Sequence, residues 1–580
     1  MKILINHRFL FLFVVLTIHA FQFSVAQKSI TVVPNEKTEP CKKCDKILKT
    51  NSSKNNVDSV ISLYINCIRN VGYLSASADS VWKKNDSVFL NIFQGTMYKW
   101  ENINLQFNNN EWTPSSIPRF KKLTGKPINY NTFSRFKNNL ILNYENSGYP
   151  FASIESDSLE LQPGLLSVNC VIKSGDLIIF DSLEITGTKK ISGNYLSHYL
   201  GIVSKKPYQE KKIKDISKRI KELSFLSESK NAEVFFIEKK ARVRLYLKDK
   251  KSNQFNGILG FMPDNQKPGR YILTGDITLN LSNSFKHGDL IDFSWKKLET
   301  ASQNLIASVQ WPYLLNKPIG LSASLKLYKK DSTYVTVASK IGIPFFITGS
   351  NTLGLYYENC SSTLLSSTGF SSLTRLPSAL GYNSNMFGIS LWYSNLDYKF
   401  NPRKGIQIKF LAAYGKKTIE KHPKINAELY NGVQLSSFRN ELSSDFVGFI
   451  PLYKKLVIKL RGQAGYINSH NLLQNELYRI GGLATLRGFD EESIYASVYG
   501  IGTSELRYLF EENSAFFAFY DFSSYQDLDH HVDNPSGFGA GIEFQTGAGI
   551  FSLTYALGRQ FNNPIEFRNA RIHFGFINRF

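Results

Sequence analysis

Cysteine is scarce in this chain, with five residues in 580, which is few for an exported protein and excludes a dense disulfide framework. Long apolar runs are also missing. Beyond the N-terminus no run of about 18 apolar residues occurs, so a helical membrane protein is excluded. A membrane β-barrel is not excluded, because its strands are short and only alternate residues face lipid. Acidic residues are outnumbered, 47 against 69 Lys and Arg, for a net charge of +22. The basic residues are scattered through alternating strands and surface helices, so the balance suits anionic lipid head groups or acidic unfolded clients better than nucleic acid. The densest cluster, Glu238 to Arg244, alternates charge with apolar residues as a half-buried strand does. An aromatic content of 14% argues against disorder.

What is present divides by rhythm. Lys2 and Arg8 precede an apolar run, Phe9 to Ile18, and Ser24-Val25-Ala26 offers a cleavage site before Gln27. Residues 1–26 are expected to be a signal peptide. Residues 27–55 are polar and expected to be a flexible leader. They contain Cys41 and Cys44, a Cys-X-X-Cys, with Cys67 on a predicted helix nearby. A redox or zinc role needs a βαβ context or a second ligand pair. Inert or mutually oxidised residues are the plainer reading. From about Val57 to Lys250 helices mix with strands in a theme stated three times, over 56–98, 99–175 and 176–250. Val57, Val60, Ile61, Tyr64, Ile65 and Ile68 recur at helical spacing. Gly72-Tyr73 and Gly148-Tyr149 each end a helix before a strand pair. The first statement lacks a clear opening strand, and its completeness stays open.

After Asn253 helical spacing gives way to about sixteen runs that alternate by twos, such as Tyr271 to Leu281, Leu456 to Tyr466 and Phe551 to Leu557. An even number of strands of this length suits a closed membrane barrel over 253–580. Catalytic motifs are thin. Gly537 to Gly541 precedes a strand and not a helix, so it is no phosphate loop. Asp529-His530-His531-Val532-Asp533 reads as a solvated loop and not a metal site, and no Gly-X-Ser-X-Gly elbow occurs.

Tyr478 to Phe489 reads YRIGGLATLRGF, and the chain ends 91 residues later in RIHFGFINRF. This pairing resembles the BamA/TamA-type outer-membrane assembly and translocation porins. Asn401-Pro402-Arg403-Lys404-Gly405, Ser504 to Arg507, Phe516 to Asp521, and the Gly-rich strands at Gly537 to Phe544 and Tyr555 to Gly558 are similar to the family's barrel motifs in order. The three N-terminal units resemble POTRA domains, of order β-α-α-β-β. Three of them are nearer in layout to TamA than to BamA, which carries five. The resemblance implies a sixteen-stranded barrel in the bacterial outer membrane with periplasmic N-terminal domains. It implies protein clients and periplasmic or inner-membrane partners, with no enzymatic step, nucleotide, metal or other cofactor. It further implies a loop folded into the lumen, with Gly481 and Gly482 at its turn and Arg487, Gly488 and Phe489 at its tip. There Arg487 would meet Asp521 and Glu505, as a guanidinium in a confined space needs fixed acceptors. Phe574, Phe576 and Phe580 would mark the terminal strand, and the seam between first and last strands would be weak. Gly257 and Gly260 in the first strand agree with that. A two-partner secretion transporter and a passive pore are the alternatives.

Overall fold

The computed structural model describes residues 30–33, 41–51, 57–84, 87–107, 123–263, 271–297, 302–366, 368, 370–398, 401–546, 549–561, 563–565 and 567–579. The expected signal peptide and Phe580 lie outside the described residues. The chain divides into two compact units, Met1–Ile178 with Pro207–Glu210, and Ile179–Lys206 with Lys211–Phe580.

The first unit opens with β1 (Ile30–Val33), α1 (Lys42–Asn51), α2 (Val57–Arg69), β2 (Ser77–Lys84) and β3 (Ser87–Phe93). This corrects the expectation of a flexible leader over 27–55, and β1 supplies the opening strand that the sequence of the first repeat left open. β1 is short but β-branched throughout, and pairs in parallel with the centre of β3, Ile30 opposite Val88 through Val33 opposite Asn91. Among the described residues, polar α1 places Cys44 and Leu48 in the core, against Val60, Ile61, Tyr64, Ile65 and Ile68 on one face of α2. A disulfide joins Cys44 to Cys67 across the two helices. The Cys-X-X-Cys pair is therefore not mutually oxidised, and Cys41 is a free thiol. Gly72 turns the chain out of α2 with φ +114°, a conformation that favours glycine, and delivers Tyr73 into the core.

The second repeat holds β4 (Lys99–Phe107), α3 (Tyr130–Glu145), β5 (Ser153–Gln162) and β6 (Leu165–Lys173). Asn129 caps α3 by accepting the Thr132 N–H at 2.9 Å. The third repeat, in the second unit, holds β7 (Ile179–Thr186), α4 (Gly193–Leu200), α5 (Glu210–Glu222), β8 (Leu226–Ile237) and β9 (Lys240–Asp249). The basic run at 238–244 is only partly strand: Glu238 and Lys239 form the β8–β9 turn, both at positive φ. The three sheets share one topology, β1-β3-β2, β4-β6-β5 and β7-β9-β8, with the first and third strands of each repeat parallel.

The rest of the second unit is a closed antiparallel barrel. Its first strands are β10 (Gln254–Pro263), β11 (Tyr271–Ser282), β12 (Leu290–Lys297), β13 (Gln303–Trp311), β14 (Leu321–Lys330) and β15 (Tyr334–Thr348). β16 (Asn351–Leu364), β17 (Gly381–Ser394), β18 (Gly405–Glu420), β19 (Ser436–Tyr453) and β20 (Leu456–Ser469) follow. A small hairpin, β21 (Tyr478–Ile480) and β22 (Ile494–Ala496), interrupts the wall. The wall resumes with β23 (Val498–Glu511), β24 (Ser514–Gln526), the two-residue β25 (Val532–Asp533), β26 (Ser536–Gln545), β27 (Ile550–Arg559) and β28 (Arg571–Arg579). Without β25 and the hairpin, the long strands number sixteen. No helix among the described residues is long and apolar enough to cross a membrane.

Period-two patterning sets which side chains face lipid. Along β24, Phe516, Tyr520 and Phe522 are exposed on the outside, while Phe517, Phe519 and Asp521 are buried inside. Ile572 and Phe574 on β28 likewise face out. The seam closing the barrel is short. β10 and β28 share two register pairs among the described residues, Gln254 with Arg579 and Phe255 with Asn578, whereas β10 and β11 share ten.

The third repeat is fastened to the turns at the strand ends nearest it. Ser192 N–H donates to Lys286 O at 2.8 Å, and Asn283 Nδ2 donates to Lys190 O at 2.7 Å. The Tyr195 ring lies over Gly288, where any side chain would collide with it, and meets Tyr313 edge-on at 5.7 Å. Tyr199 donates to Glu222 at 3.1 Å. Burial, then Tyr195 and Glu222, push its hydroxyl pKa well up, so it remains a donor.

Candidate functional site

Between β20 and β23 the chain leaves the wall and folds into the lumen. The β21–β22 hairpin forms its stem, and Gly481 to Phe489 its tip. Gly481 and Gly482 reverse direction with φ +114° and +91°. Thr485 clasps that turn by accepting the Gly481 N–H at 2.8 Å and donating to Gly481 O at 2.9 Å. Leu486, wholly buried, anchors the tip in a cluster with Ile480, Ile494, Ala496, Ile501 and Tyr525, against which Phe489 packs. These apolar contacts hold the loop before any charge is considered.

Arg487 extends from that anchor into the wall of β23 and β24. Its Nε and one Nη donate to the two oxygens of Asp521 at 2.8 and 2.7 Å, and the other Nη donates to Glu505 at 2.9 Å. The Arg487 backbone N–H also reaches Asp521 at 3.2 Å. The guanidinium lies 3.5 Å from the centre of the Phe519 ring. Glu505 in turn pairs with Arg507 at 2.5 Å and Lys459 at 3.5 Å, and Arg507 with Glu543 at 2.6 Å. Three cations thus meet three carboxylates, so the cluster is electroneutral, the condition under which buried charge is tolerable. Asn401, from the Asn-Pro-X-X-Gly turn, accepts from Arg507 at 3.3 Å and ties the network to the strand ends near the third repeat.

The structure therefore brings together Arg487, Asp521 and Glu505. It also gives the glycine-rich strands a purpose. Gly537 and Gly558, register partners on β26 and β27, lie against the backbone of Arg487 and Gly488, and a side chain on either would strike it. Gly488 itself has φ +92°. Phe574 shares the outer face with Ile572, and Phe576 packs against Phe551 in a tilted pair with ring centres 4.5 Å apart, away from the loop. In the Asp529–Asp533 run, Asp529 and His531 approach Asp527, but Asp527 accepts both of their backbone N–H groups at 2.9 Å, the hydrogen bonding of an exposed turn.

Sequence reasoning missed a second ionic cluster at the loop's root. Glu476, fully buried, accepts from Lys417 at 2.5 Å, Arg439 at 2.9 Å and the Leu473 N–H at 2.9 Å. Asn475 beside it donates to Ser362 and to Leu380 O. Midway along, Arg479 pairs with Glu492 at 2.9 Å and covers the Tyr328 ring. The available signal was parity: Arg439 lies on the face of β19 opposite the exposed Phe438.

A sixteen-stranded barrel with POTRA-like repeats before it, and an arginine-tipped loop locked inside, defines an outer-membrane barrel of the polypeptide-handling class. The Omp85 superfamily domain matches residues 283–580, a little over half of the chain, and the chain belongs to that superfamily. Its barrel lies in the outer membrane and its repeats in the periplasm, as for superfamily members that insert or translocate polypeptides. Among solved structures it is similar in fold to CdiB from Acinetobacter baumannii, with 13% identity, TM-score 0.53, and coverage of 84% of this chain and 90% of that one. CdiB from Escherichia coli gives 13% identity and TM-score 0.52 over 94% and 99% of the two chains. BamA from Haemophilus ducreyi lacking POTRA domains 1–3 matches at 14% identity and TM-score 0.43 over 83% and 100%. A search of curated proteins gives no match.

Proposed function

We propose that this protein inserts client polypeptides, β-barrel or autotransporter-like, into the outer membrane without nucleotide. The observation that carries this reading is the seam. With two register pairs between β10 and β28 against ten between β10 and β11, the wall parts there at least cost, and a client strand adds to the freed edge by main-chain pairing. The Arg487 loop, seated on β23, β24, β26 and β27, keeps that side of the wall in register while the seam opens. The test reconstitutes the full chain in liposomes and follows insertion of urea-unfolded barrel clients. Phe255→Cys with Asn578→Cys, register partners across the seam, should stop insertion when oxidised and restore it when reduced. Undiminished insertion by the oxidised protein would refute the reading. Transport of a secreted partner through the lumen is the second reading, favoured by likeness in fold to the two CdiB barrels. It requires the loop to leave the lumen, and predicts that fixing the loop, not the seam, is what blocks activity.

A further inference from the structure

The Cys-X-X-Cys motif takes no part in the loop, the seam or the barrel, and it is built as a chemical device. We propose that Cys41 is a thiol–disulfide exchange site that takes Cys44 from Cys67 and so unfastens the opening strand of the first repeat.

Cys44 is fully buried and bridged to Cys67, with Cα atoms 5.7 Å apart, tying α1 to α2. Cys41 is a free, half-buried thiol packed on the same core cluster. Its carbonyl accepts the N–H groups of Cys44 at 2.8 Å and Asp45 at 3.0 Å, which sets it one helical turn ahead of Cys44. Residues so placed have Cβ atoms about 5–6 Å apart, and a disulfide needs about 3.5–4.5 Å, so a small change in the first turn brings the sulfurs together. A thiol left over in an exported protein is a candidate for such reactivity. The other free cysteines, Cys170 and Cys360, are buried in the second repeat and the barrel.

Exchange proceeds by attack of a thiolate on a disulfide sulfur. The Cys41 thiolate attacks Cys44 Sγ, the Cys44–Cys67 bond breaks, and Cys67 leaves as the thiolate that takes up the proton Cys41 released. One disulfide is consumed and one formed, so no oxidant or reductant is required. Cys44 is fully buried, and Cys41 packs on the same core cluster. The new bond spans a single turn of α1 and no longer ties it to α2. Leu48 in the core and the Tyr64 hydroxyl donating to Asp45 at 3.1 Å are among the contacts α1 then keeps. β1, joined to α1, pairs with β3 through four residues only. Its departure opens the edge of β3 from Val88 to Asn91 to another strand.

The test uses the full chain in detergent, held without oxygen at about pH 8 to favour the thiolate, then acid-quenched, alkylated and digested with trypsin. Lys42 and Lys43 lie between Cys41 and Cys44, so the two isomers give different peptides. We expect the Cys41–Cys44 form, with Cys67 alkylated, in about 0.1–10% of molecules, the range of a minor state, and in none of the C41S protein. Cys67 unlabelled at all times, or labelled equally in C41S, would overturn the exchange. C67S and C41S then fix the two states separately. Faster hydrogen exchange over Val88–Asn91 in C67S supports release of β1, and equal protection overturns it.

Discussion

Arg487→Ala removes three side-chain hydrogen bonds to two carboxylates and the contact with Phe519. The damage is not symmetric. Without Arg487, Glu505 retains Arg507 and Lys459, but fully buried Asp521 keeps only the backbone N–H of residue 487. Without Asp521, Arg487 still has Glu505. Removing one partner of a buried pair costs about 3–5 kcal/mol, a figure that water in the lumen lowers. Asp521→Ala should cost about 1.5–3 kcal/mol, the worth of hydrogen bonds to a charged group. At about 1.4 kcal/mol per tenfold, the docked loop becomes ten to a hundred times less favoured. Both variants should slow client insertion and lower the urea midpoint of the detergent-solubilised barrel, Arg487→Ala more than Asp521→Ala. The double variant should fall short of the sum by about 0.5–3 kcal/mol, the range for residues in contact. Arg487→Lys keeps the charge but loses the two-pronged grip on Asp521, and should fall between wild type and Arg487→Ala. Strict additivity in both readouts would refute the pairing.

Gly537→Val tests the seat of the loop without touching a charge. Gly537 has ordinary strand φ and valine suits a strand, so a defect like that of Arg487→Ala can come only from collision with the Arg487 carbonyl. Gly500→Val, where the space is open, should be silent in the same insertion assay. Glu476→Ala leaves Lys417 without its carboxylate, and should lower the urea midpoint by several tenths of molar and raise single-channel conductance as the loop's root loosens. Unchanged conductance would contradict a fastening role. Gly288→Val should unseat Tyr195, and spin-label distances between the third repeat and the barrel, narrow in wild type, should broaden.

The barrel was legible because alternation by twos, repeated about sixteen times in a chain with no long apolar run beyond its N-terminus, suits a closed membrane barrel. The alternating run Leu456 to Tyr466 is the body of β20, the eleventh strand of the wall. The loop was legible from Arg-Gly-Phe and the glycines before it, and its partners Asp521 and Glu505 only through the family resemblance, since nothing in their own spacing singles them out. What escaped was written in single residues. The segment 27–55 is polar on average, and its fold depends on a four-residue strand and two side chains, Cys44 and Leu48. The pairing of Cys44 with Cys67, and not with Cys41, depends on how α1 crosses α2, which spacing does not encode. Lys417 and Arg439 read as surface charge until the wall curves and turns them toward Glu476.

The seam bears on the membrane as much as on the client. In hydrocarbon every main-chain amide and carbonyl left without a partner costs several kcal/mol, since no water is there to take its place. Among the described residues, strands of ten and nine residues share two register pairs, which leaves such groups without a partner across the seam along most of their facing length. The bilayer beside them can relieve this by thinning or by admitting water, and both lower the barrier that a polar, unfolded strand meets on crossing. On this account the lipid next to β10 and β28 is itself a working part, and insertion should quicken in short-chain lipids even with the protein unchanged.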